Sequence, residues 1–248
     1  MDLPAAMPKP DYGLDAPKLV RRFAVRGGFL VAFSIVLYFA NRNTSPGTAQ
    51  GLASILAAIG LGFLSTAAIM LWSSRVAKLK LRDRILAGFS WRGDETVLDV
   101  GCGRGLLLIG AAKRLRTGKA TGVDTWQSEH LSGNNPEAVL RNAKMESVEN
   151  RVKIESADAR KLPFGASSFD VVVSSLAIHN IQPGTERAKA LREIARVLKP
   201  GGRVTIFDIF HTSEYAKVLL QLGLTDIQLS GLSLLWGVPC RTVTARKA

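Results

Sequence analysis

The 248-residue chain is short of acidic side chains, with 20 Asp and Glu against 33 Lys and Arg, and it holds only two cysteines and three histidines. Each shortage narrows the possible chemistry. Cys102 and Cys240 lie far apart and form no CxxC pair, so neither a disulfide framework nor a zinc site is signalled, and a reducing compartment fits. His130, His179 and His211 share no local metal-ligand spacing, so no metal centre is expected. The shortage of acids leaves a formal net charge of +13, which implies an anionic partner, either nucleic acid or the negative face of a membrane. No internal repeat or low-complexity segment is present.

Where the charges sit decides between those partners. The stretches "GGFLVAFSIVLYFA" (27–40) and "GLASILAAIGLGFLSTAAIMLW" (51–72) carry none. The second reaches the ~20 residues that cross a bilayer, and the first does so if Phe23 to Arg26 join it, with Arg26 snorkelling to the surface. The pattern predicts a basic N-terminal segment over 1–26, a transmembrane hairpin over 27–72, an amphipathic linker helix within 73–92 and a soluble domain over 93–248. A secretory signal is disfavoured, because Arg21, Arg22 and Arg26 follow a long polar start and a second apolar run comes after.

Lys9, Lys18, Arg21, Arg22 and Arg26 precede the first run, and Arg75, Lys78, Lys80, Arg82 and Arg84 follow the second, while the connection holds only Arg42. The positive-inside rule then makes this a two-span membrane protein with both termini and the soluble domain cytoplasmic. The same flanks suit anionic headgroups, so the lipid bilayer accounts for much of the basic excess without nucleic acid. Ala53 with Ala57, and Ala58 with Gly62, have the spacing that lets helices approach closely, either to the first span or to a second copy in a homo-oligomer.

Beyond the hairpin, Val76, Leu79, Ile85, Leu86 and Phe89 give an amphipathic helix placed along the membrane surface or the domain edge. The chain then alternates β-branched runs with helical patterns, which predicts a doubly wound α/β sheet. Strands are expected at 95–100, 119–124, 151–155, 169–175, 202–209, 225–230 and 240–245. Helices are expected near 104–116, 135–147, 185–198 and 213–222, with "LKPGG" (198–202) stopping the third. Ligands of such sheets bind beyond the carboxyl ends of the strands.

"VLDVGCGRG" (97–105) runs from a strand into a glycine-rich turn that opens a helix. Its third glycine comes one residue too early for the dinucleotide pattern G-x-G-x-x-G, and Asp99 would repel a pyrophosphate. A cofactor bearing a cationic amino group suits that carboxylate. With "GVD" (122–124), "ADARKLPF" (157–164) and "FDVVVSS" (169–175) followed by "LKPGG", the stretch resembles class I S-adenosylmethionine-dependent methyltransferases. The likeness runs from about Arg84 to the C-terminus and is nearest to the type 11 quinone and sterol branch. It implies a Rossmann-like, seven-stranded sheet and S-adenosyl-L-methionine as cofactor.

Carried over residue by residue, the resemblance places Asp99, Gly101, Cys102, Gly103 and Gly105 around the methionine part. It gives Asp124 the ribose hydroxyls, with Thr125 and Trp126 beside them. Asp158 and Ala159 hold the adenine, and Ser174 and Ser175 close the cofactor set. Cys102 reads as a small buried residue, since nothing basic is placed to activate its thiol.

Methyl transfer from a sulfonium needs alignment, and a base where the acceptor carries a proton. His179, Asn180 and His211 follow the ends of the fourth and fifth strands and are the candidate acceptor-facing residues, with His130 after the second. Gln127, Glu129, Asn134 and Asn135 either line the acceptor pocket or, in "NNP", cap the next helix. The resemblance also implies lid elements that this chain replaces with its hairpin, which predicts a mouth without a lid of its own, facing the bilayer surface or a partner subunit.

The expected function is methylation of a hydrophobic, lipid-soluble acceptor such as a quinone, a sterol or prenyl lipid, or a phospholipid amine. The alternatives are a small soluble metabolite as acceptor and a non-catalytic adenosylmethionine-binding membrane adaptor. Nucleic-acid methylation is disfavoured, because "SSLAIHN" lacks the Asn/Asp-Pro-Pro-aromatic pattern that holds a flipped base.

Overall fold

A computed structural model describes residues 9–41, 43, 46–127, 131–235 and 238–248. Helix α1 (Pro17–Asn41) and helix α2 (Pro46–Trp72) pack side by side as a hairpin. Both are long and apolar enough to cross a membrane. Gly27 and Gly60 make the closest approach: a Cβ on Gly27 would lie 2.7 Å from the Gly60 carbonyl oxygen, and one on Gly60 2.9 Å from that of Gly27. Phe23 stacks on Phe63 below them, and Val20, Ala67 and Met70 form a small cluster lower still. Ala53 is buried, whereas Ala58 and Gly62 face outward. Helix α1 therefore starts ten residues before the uncharged run, inside the basic segment.

The chain does not break after α2. A π-helical segment (Ser73–Ala77) leads directly into α3 (Lys78–Ala87), giving one continuous helix over Gly47–Ala87. Ile85 and Leu86 of α3, with Phe89 just past its end, enter the domain core. They pack on α4 (Leu106–Ala112), where Gly110 gives room: a Cβ there would fall 2.7 Å from Leu86 Cδ1. The linker helix is thus docked on the domain along one face and does not lie free on a surface, because its apolar stripe has a partner.

Strands β1 (Thr96–Val100), β2 (Lys119–Asp124), β3 (Val152–Ser156), β4 (Phe169–Ser175) and β5 (Leu198–Asp208) form the parallel part of the sheet. Two antiparallel strands, β6 (Leu224–Leu229) and β8 (Val238–Lys247), complete the order β3-β2-β1-β4-β5-β8-β6. The short β7 (Ser233–Leu235) pairs only with β8. These seven strands are the ones expected, and β7 is an addition that three residues of sequence could not announce.

Helix α5 (Pro136–Met145) lies with α3 and α4 in the core cluster on one face of the sheet. Helices α6 (Gly184–Val197) and α7 (Thr212–Gln221) supply the cluster on the other. With both faces covered, β1 reads as an apolar run, and Val97, Leu98 and Val100 are fully buried. "LKPGG" does follow the end of α6, but it already belongs to β5: Leu198 pairs with Phe169, and the register shifts before Val171 meets Arg203. Gly201, at φ +75°, carries that irregularity.

The segment before α1 is not a free tail. Leu14 N–H donates to Ser132 Oγ at 2.7 Å, and Asp15 bridges Leu131 as an antiparallel pair. Asn142 Nδ2 donates to the Asp11 carbonyl at 2.8 Å, and the Tyr12 ring is buried in the core. Residues 11–15 thus form a strap across the carboxyl end of the sheet.

Candidate active site

β1 delivers the glycine turn to the centre of the sheet. Gly101 has φ +72°, and a Cβ there would collide with Ala177, so only glycine allows the β1 and β4 loops to meet. Gly101 and Cys102 N–H groups both donate to the Val123 carbonyl, at 2.8 and 3.0 Å, and Gly103 N–H donates to Asp124 Oδ2 at 2.8 Å. The turn is therefore locked to β2. Gly105, at φ +87°, starts α4, and a Cβ on it would press Ile109 and Val139 at 3.0 Å. Its role is packing, and it does not line the cavity.

Beyond the strand ends lies a cavity of about 480 Å³. Asp99, Gly101, Cys102 and Gly103 line one side, Asp124 and Thr125 the next, and Asp158 and Ala159 the third. Ser175, His179 and Asn180 lie opposite, among Leu176, Ala177, Ile178 and Ile209. The strap and helix α3 supply a further wall, made of Tyr12, Asp15, Ala16, Lys78 and Leu81. The mouth is therefore not lidless: the strap covers it where soluble lid helices were expected to be missing.

Burial sets the electrostatics. Asp99 is 2% exposed and accepts from Leu108 N–H at 2.8 Å; burial, aided by nearby Asp124, pushes its carboxyl up to about 7 despite that bond. Burial also raises the Cys102 thiol well above its ordinary value, so it stays protonated and inert. Asp124 Oδ1 accepts from Trp126 N–H at 2.7 Å and from Asn134 Nδ2 at 3.3 Å, which fixes the carboxylate at the end of β2. The Asp158 carboxylate is gripped by Arg160, whose Nε and Nη2 donate to it and hold its pKa down; Arg160 also reaches Glu186 at 3.2 Å.

His179 has a built environment. Its Nδ1 lies 2.5 Å from Asp208 Oδ1, a short approach poorly aligned for a hydrogen bond, and its backbone N–H donates to Asp208 Oδ2 at 3.0 Å. Asp208 is fully buried at the end of β5 and also accepts from Tyr215 Oη at 3.3 Å. Burial, with that carboxylate beside it, raises the Tyr215 hydroxyl, which keeps it a donor. His179 thus lines the cavity with its Nδ1 edge turned to the buried Asp208 carboxylate.

Several expected residues stand elsewhere. Ser174 turns away from the cavity, and its Oγ donates to the Val100 carbonyl at 2.8 Å; strand alternation lets only one of the two serines face the site. Trp126, at φ +60°, stands outside the lining and donates its indole N–H to Ser156 Oγ at 2.8 Å. His211 is also outside: at φ +61° it turns its ring to Arg187 and Glu214, each 3.3 Å from Nδ1, with Phe210 between it and His179. Asn135 caps α5 by accepting from Ala138 N–H at 2.8 Å, whereas Gln127 and Asn134 line the cavity. His130 and Glu129 lie outside the described residues.

Sequence reasoning missed Tyr12, Asp15, Lys78, Leu81 and Asp208. Asp208 was legible as an acid ending a buried strand in "TIFD", the same signal that marks Asp124. The strap residues carry no such signal, because their partners lie 59 or more positions away.

Residues 98–206 match the family model described as a methyltransferase domain. The chain is 36% identical over 120 residues to a sterol 4-C-methyltransferase of Caenorhabditis elegans, covering 48% of this chain and 33% of that protein. It is 36% identical over 128 residues to a demethylmenaquinone methyltransferase of Staphylococcus aureus, covering 51% and 48%. The chain thus spans about half or less of the length of these curated relatives. Among solved structures, an S-adenosylmethionine-dependent methyltransferase from Aquifex aeolicus superposes with a TM-score of 0.56 at 20% identity, covering 74% of this chain and 98% of that one. That likeness concerns the fold.

Proposed function

From a chain that carries a class I S-adenosylmethionine-dependent methyltransferase domain, we propose a membrane-integral enzyme that methylates a lipid-soluble small molecule such as a quinone, a sterol or prenyl lipid, or a phospholipid amine. One observation carries the membrane half of this reading. Asp15 and Ala16, in the cavity wall, come directly before the first residue of α1, and Lys78 and Leu81 come within three turns of the end of α2. The cavity therefore abuts the foot of the apolar hairpin, where a hydrophobic acceptor can leave the bilayer without crossing water. The relatives named for sterol and menaquinone methylation support the same substrate class.

The cradle suits the cofactor. Gly101 and Gly103 keep the turn open where a Cβ would intrude, and the Asp99 and Asp124 carboxylates face a ligand with a cationic methionine part and vicinal hydroxyls. S-adenosylmethionine, when bound, supplies an electrophilic methyl group. The chain's share is alignment in a water-poor cavity, with His179 Nε2 taking the proton that the acceptor loses as it gains the methyl group. Asp208 holds the imidazole and stabilises the imidazolium that results.

The hairpin spans the membrane, and the basic flanks keep both termini and the domain on the cytoplasmic side. The test is full-length protein reconstituted in bilayers with methyl-labelled cofactor and a cell lipid extract. Label is expected in the organic phase. Label confined to water-soluble products favours the soluble-metabolite reading, for which the polar Gln127 and Asn134 in the cavity lining speak.

A further inference from the structure

A second cavity, of about 410 Å³, shares Tyr12 and Lys78 with the first. Around it stand three cationic side chains, Lys9, Arg75 and Lys78. Its carboxylate, Asp11, is already held by Arg104 at 2.8 Å. Lys9 and Arg75 are exposed, and neither has a carboxylate partner among the described residues. Lys78, 5% exposed, donates to the Tyr12 and Gly13 carbonyls at 2.9 and 2.5 Å and stands 3.5 Å from Asp15, so it pins the strap to the helix.

The position of this cavity names its occupant. Arg75 lies three residues past the exposed Trp72, about 5 Å along the helix axis. An indole in the interfacial belt puts that guanidinium at the depth of lipid phosphates. The π-helical segment shifts the helical register just there, in the stretch that gives Ser74 and Arg75 to the cavity.

We infer that this cavity binds the phosphate of an anionic phospholipid headgroup, and that its occupancy holds the strap closed over the cofactor site. The inference rests on the membrane reading above. Phosphate oxygens accept charge-assisted hydrogen bonds from Arg75 and Lys9, while Lys78 keeps its grip on the strap carbonyls. Because Tyr12 and Lys78 belong to both cavities, a ligand in one stabilises the wall of the other, and the coupling is reciprocal.

The experiment measures adenosylhomocysteine affinity calorimetrically for full-length protein in nanodiscs of phosphatidylcholine alone or mixed with phosphatidylglycerol. Affinity is expected to tighten about fivefold or more in the anionic discs. The Lys9→Ala/Arg75→Ala variant should show one affinity in both, whereas Lys80→Ala/Arg84→Ala, on the exposed face of α3, should keep the gain. Equal wild-type affinities in the two discs overturn the inference and leave membrane integration standing. Loss of the gain in both double variants reduces it to diffuse surface charge, and so overturns it. A gain reproduced by inorganic phosphate in phosphatidylcholine discs assigns the cavity to a free anion and overturns the lipid. Protein that stays soluble and fails to enter discs sinks the membrane reading itself.

Discussion

The hairpin and the α/β domain arrange the same residue types in opposite ways. In the domain, Leu98, Val172 and Leu191 are wholly inside, and buried polar groups such as Asp99 and Asp208 are hydrogen-bonded. In the hairpin, Gly27, Gly60 and Ala53 are inside, while Phe29, at 66% exposure, and Ile55, at 59%, face out. A domain in water gains by hiding large apolar side chains. Helices in lipid gain nothing by hiding them and associate through close backbone contact. On the membrane reading one chain carries two packing rules, and the strap with Lys78 is where they meet.

On that reading, changes in the domain should alter chemistry, and changes in the hairpin only access. The largest effect belongs to His179→Ala, expected to lower turnover about 10²- to 10³-fold with cofactor affinity unchanged, by single-turnover kinetics and calorimetry. Unchanged turnover would leave the cofactor site standing and remove the base. Asp124→Ala should weaken adenosylhomocysteine binding by about 10²-fold, since it removes two charge-assisted acceptors. Asp208→Asn should cost about tenfold in turnover by leaving His179 poorly oriented, with binding intact. If it lowers binding instead, Asp208 serves the fold and not the imidazole.

Gly60→Leu should cost the hairpin about 1–3 kcal/mol, read from denaturant titration in micelles, and leave calorimetric cofactor affinity as it was. A loss of affinity as large as that of Asp124→Ala would show that the two regions are one cooperative unit. The smallest effect is one of pH. Burial raises the Asp99 carboxyl from its ordinary 3.8 to about 7, so the ligand-free fold favours the protonated form. Its stabilising contribution is present below 3.8 and is lost as pH rises to about 7. Against Asp99→Asn, the melting temperature of the wild type should fall across that window. Affinity for the cationic cofactor should rise across it, because the charged carboxylate is the form that attracts a cation.

Legibility in the sequence followed the range of the contacts. "VLDVGCGRG" runs from a strand through a turn to the start of a helix within nine residues, so β1, Gly101, Gly103 and Asp99 could be read, whereas Gly105 serves packing. Asp124 and His179 were readable as polar ends of apolar strands. Ser174 was misplaced because the pleat puts neighbouring residues on opposite faces, and nothing local says which face holds the ligand. His211 and Trp126 failed for another reason: each has a positive φ in a loop, which swings the side chain away from the line of its strand. Strap and α3 were the hardest, since Tyr12 meets Lys78 and Asp11 meets Asn142 only after the domain has folded.

The unbroken helix from Gly47 to Ala87 has a mechanical consequence. Anchored by Leu86 in the domain core and by Gly60 against α1, it acts as a strut of fixed length between the apolar slab and the catalytic mouth. On the membrane reading, a bilayer thicker or thinner than its span tilts the strut, and the mouth rises or sinks with it. Bilayer thickness then joins temperature and pH as a variable that sets how easily an acceptor reaches His179.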